Sequence, residues 1–176
     1  YQVYLKKYDI NAEVTSSLRC GYHKYTYKNG KEKKLLADLS HSNEYIRGWN
    51  IEKSGDNVFS GYQQTGPTFY FYAVTNHKIK DIESLKDGDA EVRIINFINN
   101  ESIDDPLEMK VGFSYVSVEN AKKNLEAEIL NKDFEQVRNE ASDTWEGLLS
   151  KIQVSGGMEE QKETFYSALY KAFLWP

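Results

Sequence analysis

The chain has 176 residues, 40% of them hydrophobic and 28% charged, with a formal net charge of −5 and a sequence pI near 5.3. That acidic balance excludes a nucleic-acid binder built on clustered Lys and Arg, and no apolar run approaches the roughly 20 residues of a membrane helix. A chain of this size can bury roughly 70% of its unfolded surface, and Cys20, the only cysteine, rules out an internal disulfide as a staple.

The first half reads as strands. Cys20 falls on a strand spanning Thr15–Tyr25, where it is expected as a small buried hydrophobe, because no local His/Asn signature marks it as a nucleophile. The basic run Lys28 to Lys34 flanks Asn29-Gly30, a hairpin signal, and so reads as a solvated turn joining strands around Tyr25 and Leu36. His23, His41 and His77 lie far apart with no spacing that presents two ligands on one face, so no metal site is expected from them; His23 reads as polar packing on a sheet.

Trp49 follows Gly48 in the polar stretch NEYIRGWNIEKSGDN, which suits a loop position and makes it the candidate sugar-contacting residue. An indole offers an apolar face to a pyranose and an N–H at its edge. The aromatic segment FYFYAV, Phe69 to Val74, has strand length; Tyr70 and Tyr72 there are expected in the core of a strand covered on both sides rather than on sugar.

Three acidic clusters could in principle carry calcium or acid/base chemistry: Asp87-Gly88-Asp89 with Glu91, Asp104-Asp105, and Glu159-Glu160. The first lacks the ligand spacing of an EF-hand loop and reads as a turn before the strand Val92–Phe97; the second is a turn closed by Pro106. Acid/base catalysis by a carboxylate pair needs the two groups held at a set separation, with one of them kept protonated by its surroundings. Solvated neighbours on a turn do not meet that condition, so no catalytic residue is assigned. Asn100-Glu101-Ser102 is a formal glycosylation sequon.

From Leu107 the pattern is sharper. Leu107, Met109, Val111, Phe113 and Tyr115 alternate with Glu108, Lys110, Gly112 and Ser114, as in a half-buried antiparallel strand whose second face is wet or lightly covered. Ser117 then caps a helix holding Ala121 and Leu125, and Asp133 with Gln136 forms a capping-box variant. Val137, Ala141, Trp145, Leu148, Leu149 and Ile152 make the next helical stripe, with a short extended piece, Gln153–Ser155, and Gly156-Gly157 closing it. Glu159 and Glu160 open a last helix whose stripe is Phe165, Leu169, Ala172 and Phe173.

The succession VGFSYVSVENAKKNLEAEI, DFEQVRNEASDTWEGLLSKIQVSGG and EEQKETFYSALYKAFLWP resembles the domain junction of glycoside hydrolase family 92, the calcium-dependent, inverting α-mannosidases. Upstream, YQVYLKKYDINAEVTSSLRCGYHKYTY is similar to a strand pair of the same family, and Gly48-Trp49 and FYFYAV follow in the family's order. Cys20, Tyr27 and Trp175 depart from residues common there.

The resemblance implies a mainly β fold with C-terminal helices: a galactose-mutarotase-like β-supersandwich, then linker helices, then the first helix of an (α/α)6 barrel. It implies the partition 1–117 sandwich (partial), 118–152 linker helices and 153–176 start of the helical catalytic domain. It further implies that the catalytic carboxylates and most calcium ligands lie outside this chain. The segment is then a scaffold, inactive alone, in a bacterial enzyme of the periplasm or exterior that removes α-linked mannose from glycans with inversion. Tyr1 is neither an initiator Met nor part of a cationic, apolar leader, so no address is legible in the chain itself. The barrel's opening helix would leave its apolar stripe half covered, with self-association through it as one outcome. A noncatalytic carbohydrate-binding sandwich, or another sandwich-plus-barrel glycosidase or phosphorylase, is the alternative expectation.

Overall fold

The computed structural model describes residues 1–27, 32–87, 90–98 and 105–174. The chain divides into two compact units, Tyr1–Val137 and Arg138–Pro176, with the division inside a helix.

The first unit is built on ten strands: β1 (Gln2–Leu5), β2 (Ile10–Ser16), β3 (Cys20–Tyr27), β4 (Lys34–Ala37), β5 (Gly48–Gly55), β6 (Val58–Gln64), β7 (Thr68–Thr75), β8 (Ile79–Asp87), β9 (Ala90–Phe97) and β10 (Leu107–Ser114). They form a seven-stranded sheet in the order β1-β2-β3-β10-β7-β6-β5 and a three-stranded sheet in the order β4-β9-β8. Every pairing is antiparallel, and β10, the last strand in sequence, lies in the middle of the large sheet with Val111 opposite both Gly21 and Ala73.

One core lies between the two sheets. Ile51, Phe71 and Val111 of the large sheet meet Ile79, Ile95 and Phe97 of the small one, all within 8% exposure. The alternation of β10 predicts this face: Leu107 and Val111 are buried there, with Met109 and Phe113 packed beside them. The strand itself ends at Ser114, and Tyr115 stands 69% exposed.

The other face of β10 is not wet. Helix α1 (Val118–Glu128) and the start of α2 (Phe134–Leu149) cover it, and Cys20, Tyr22, Leu125, Ile129, Phe134 and Val137 make a second core. Gly112 is what permits the close approach, since a Cβ there would stand 2.3 Å from the Ala121 carbonyl oxygen and 2.9 Å from the Leu125 Cβ. Two polar residues on this face, Glu108 and Lys110, are used inside the layer. Glu108 Oε2 accepts the Tyr22 hydroxyl at 2.5 Å, and Lys110 Nζ donates to the Leu130 and Lys132 carbonyls at 2.7 and 2.6 Å. Burial lowers the pKa of Lys110 and raises that of Tyr22.

The helix starts follow from their caps. Ser117 Oγ accepts from the Asn120 amide at 3.1 Å. Asp133 and Gln136 exchange side-chain-to-backbone bonds at 2.9 and 2.8 Å, satisfying two otherwise orphan N–H groups. Helix α2 ends at Leu149, so Ile152, expected on its stripe, lies beyond it and is 48% exposed.

Two further expectations are corrected. Residues Thr15–Tyr25 are not one strand: the chain turns at Ser17 to Arg19 between β2 and β3, which pair with each other. The strands around Tyr25 and Leu36 are not a hairpin either, because β3 is flanked by β2 and β10 in the large sheet while β4 pairs with β9 in the small one. The intervening basic segment therefore changes sheets; Asn29-Gly30 itself lies outside the described residues. A tie across that change is the Tyr27 hydroxyl, which donates to the Lys34 carbonyl at 2.7 Å.

The second unit holds the end of α2 and α3 (Glu159–Leu174). Gly156 and Gly157 have φ of +77° and +71°, a region that costs other residues a Cβ clash, and they turn the chain into α3. Within this unit Trp145 and Tyr170 bring their rings to 4.5 Å, and the Val154 amide donates to the Tyr166 hydroxyl at 3.4 Å. No residue of α3 is buried.

Candidate functional site

Trp49 sits near the start of β5, opposite Gln63 on β6, rather than in a loop. It is partly buried and packed against the core between the sheets. The Arg93 guanidinium lies over its ring, 4.6 Å from the centroid. Arg93 is fixed in turn: Nη1 donates to Glu91 Oε1 at 2.5 Å and to Ser84 Oγ at 3.0 Å, and Ser84 donates to the same carboxylate oxygen at 2.6 Å. The Ser84 hydroxyl and then Arg93 hold the Glu91 carboxyl below the usual range. This arrangement ties β5 of one sheet to β8 and β9 of the other, and it occupies one face of the indole. Sequence reading missed Arg93, whose partnership with a residue 44 positions away leaves no local signal.

Tyr70 and Tyr72 stand in β7, a strand inside the large sheet. Phe71 and Ala73 point into the core between the sheets, while Tyr72 and Val74 pack against the helix-side core.

The acidic clusters are dispersed. Gly88, Asp89 and Asp104 lie outside the described residues, as does the sequon at Asn100 to Ser102. Glu91 serves the Arg93 network. Pro106, just after Asp105, offers its carbonyl to Asn76 Nδ2 at 2.9 Å and His77 Nε2 at 3.3 Å. Glu159 takes an ion pair from Lys162 at 2.8 Å, one turn along α3. No group of three or more His, Cys, Asp or Glu among the described residues could hold a metal ion.

The histidines separate likewise. His23 Nδ1 is 2.9 Å from the Tyr25 hydroxyl, and burial lowers its pKa. His41 meets Asp38 at 2.6 Å on the surface, and His77 is 2% exposed with Lys33 Nζ at 3.3 Å from its Nε2. Cys20 is buried, and burial together with the nearby Glu128 carboxylate pushes its thiol up to about 11, an unreactive setting.

One well-connected carboxylate is a group the sequence did not single out. Glu128, the last residue of α1, accepts the Ser17 hydroxyl at 2.5 Å, the Arg19 amide at 3.0 Å and Arg19 Nε at 2.6 Å. Burial alone would raise its pKa, but the bonds from Ser17 and Arg19 outweigh it and hold the carboxyl down. The β2–β3 turn is thereby latched to the end of α1.

Comparison with known proteins identifies this architecture. The model for the glycosyl hydrolase family 92 N-terminal domain matches residues 1–128, and that for the family's catalytic domain matches residues 120–176. This chain belongs to glycosyl hydrolase family 92. The two matches overlap in α1, so the family's domain junction runs through the helix that closes the large sheet.

Solved GH92 structures share the fold. The family GH92 α-mannosidase BT3965 from Bacteroides thetaiotaomicron superposes with a TM-score of 0.84 at 23% identity, over 97% of this chain and 26% of that one. The GH92 inverting mannosidase BT2199 from the same organism gives 0.84 at 19% identity, over 100% of this chain and 25% of that one. The GH92 family glycosyl hydrolase ccman5 gives 0.78 at 23%, over 92% and 24%. The chain thus spans about a quarter of the length of these relatives, and it matches them as a mainly β fold with an N-terminal sandwich and C-terminal helices. No curated protein sequence matches it.

Proposed function

We propose that the protein carrying this chain is an α-mannosidase of GH92 that removes mannose from glycans with inversion, and that this segment is its scaffold. The observation that carries the reading is the continuous passage from the N-terminal-domain match into the catalytic-domain match through α1. It weighs against a stand-alone carbohydrate-binding sandwich, which has no catalytic domain to enter. The apolar residues that α3 keeps outside any core are consistent with the opening element of a larger helical assembly, and 153–176 is read in that way, with 1–117 as partial sandwich and 118–152 as linker.

Inversion requires a carboxylic acid to protonate the leaving oxygen and a carboxylate to activate water, roughly 6.5–9.5 Å apart. No acidic cluster of this chain is assigned either role. Calcium, which the family resemblance implies, finds no ligand set among the described residues; it belongs to the reading of the whole enzyme. Mannose-containing glycans are the proposed partners and the periplasm or exterior the proposed location. Trp49 is retained as a sugar contact only through the indole face and edge that Arg93 leaves open.

The test is hydrolysis of an aryl α-mannoside by the whole protein, with the first-formed anomer read by NMR, before and after chelation and calcium replacement. β-Mannose appearing first and activity returning with calcium are the expected results. α-Mannose first overturns inversion, unchanged hydrolysis after chelation removes the metal, and turnover by residues 1–176 alone overturns the scaffold reading.

A further inference from the structure

A recess of about 530 Å³ opens where the β2–β3 turn, the end of β10 and α1 meet. Its floor is built by two asparagines one helical turn apart, Asn120 and Asn124, which share a face of α1. Each spends its amide N–H on the end of β10: Asn120 Nδ2 on Ser114 Oγ at 3.2 Å, Asn124 Nδ2 on the Phe113 carbonyl at 2.7 Å. Those bonds fix the orientation of both amides. They leave both Oδ1 atoms with no protein donor among the described residues, although Asn124 is only 7% exposed. Neither oxygen is itself sealed from solvent, since Asn96 Oδ1 is the one buried side-chain polar atom without a partner among the described residues, so both are accessible to accept from a ligand hydroxyl.

The walls supply the rest. Phe69 stacks on Phe113 at 5.1 Å, and Tyr115 meets Phe69 edge-on at 5.2 Å while remaining 69% exposed. Across the opening, Arg19 is tied to Glu128 through Nε at 2.6 Å, with neither Nη taken by an acceptor among the described residues. The recess therefore presents fixed acceptors, guanidinium donors and an exposed aromatic surface. Glu128 balances the charge of Arg19, and the two amide oxygens disfavour an anion. A polyhydroxylated ring satisfies all three features: hydroxyl protons to Oδ1, hydroxyl oxygens toward the guanidinium, and the C–H face on an aromatic ring.

We propose that this recess binds a saccharide unit, with Asn120, Asn124 and Arg19 addressing its hydroxyls and Tyr115 its apolar face. The choice of mannose as probe rests on the functional reading above; the recess itself does not.

The experiment uses the whole protein and an uncleavable thio-linked α-mannobiose, with affinity measured by calorimetry for the unaltered protein, Tyr115→Ala and Asn120→Ala. Tyr115 is exposed and Asn120 lies at the helix start, so both variants should fold, and thermal melting checks this. The expected result is a Kd raised about tenfold in Tyr115→Ala, and raised again in Asn120→Ala. Kd within twofold of the unaltered protein in both variants, or no binding by the unaltered protein, overturns the proposal. So does a fall in melting temperature in Tyr115→Ala with unchanged affinity, which marks the recess as covered by other parts of the protein. Hydrolysis of an aryl α-mannoside is followed in parallel: failure of the mannosidase reading shows as no turnover by the unaltered protein, and failure of the recess shows in the affinities.

Discussion

Helices α1 and α3 carry comparable apolar patterns and meet different fates. The shorter one, 11 residues, buries Ala121, Asn124 and Leu125 against a sheet, while the longer, 16 residues with Phe165, Leu169 and Phe173, buries none. What separates them is a surface to receive them. Gly112 opens a seat for α1 in the middle of the large sheet, and Leu125 and Ile129 fill it to 0% exposure. An amphipathic stripe states that a helix needs cover; it does not state whether the cover is supplied by the same segment.

The largest test of this contrast is Gly112→Val. With no room for a Cβ, the side chain must lift α1 off the sheet, and a loss above about 3 kcal/mol in denaturant unfolding is expected, overpacking at this site displacing backbone rather than a flexible side chain. A stable, cooperatively folded variant would mean that α1 is not seated as described. Leu125→Ala, which leaves the seat but empties it, should cost roughly 2–5 kcal/mol, measured by the same unfolding curve.

Smaller, and pH-dependent, is the latch at Glu128. Its folded pKa lies below the unfolded value, so its contribution is present above the ordinary glutamate range and is lost as pH falls through the folded pKa. Unfolding curves from neutral to acid pH should therefore show a stability decline that Glu128→Gln flattens; an identical pH slope in both proteins would remove the latch. Asp133→Ala removes half of a reciprocal cap and should cost about 1 kcal/mol.

The smallest effect should come from α3. Phe173→Ser in α3 is expected to change the stability of residues 1–176 by no more than about 0.5 kcal/mol, since the residue is already 37% exposed. The same change should lower any self-association of that chain seen by sedimentation. A large destabilisation would show that α3 is a core element after all.

Much of the fold was legible beforehand. The period of two in β10 identified the face that meets the small sheet, and Ser117, Asp133 and Gln136 marked helix starts that the hydrogen bonds reproduce. Errors arose where a local pattern had two tertiary outcomes. Glu108 and Lys110 look like solvent residues, yet one takes the Tyr22 hydroxyl and the other two carbonyls beyond α1. Asn29-Gly30 looks like a hairpin signal, yet β10 occupies the edge of β3 that β4 would have needed. Trp49 looked like a loop residue because its neighbours are polar; in β5 it packs on the core between the sheets, and Arg93 arrives from the other sheet. The recess beside α1 was invisible for the same reason, its parts coming from Arg19, Phe69 and Tyr115 as well as the helix.

By itself the sequence determined the element types and several of their ends, because side-chain period and caps are set by residues a few positions apart, and it carried the family resemblance that the domain models bear out. Which strand sits between which, that both faces of the large sheet are covered, and which polar groups face one another were decided only in three dimensions. Strand order and helix seating depend on contacts between residues as distant as Ser17 and Glu128, whose energies no local window contains.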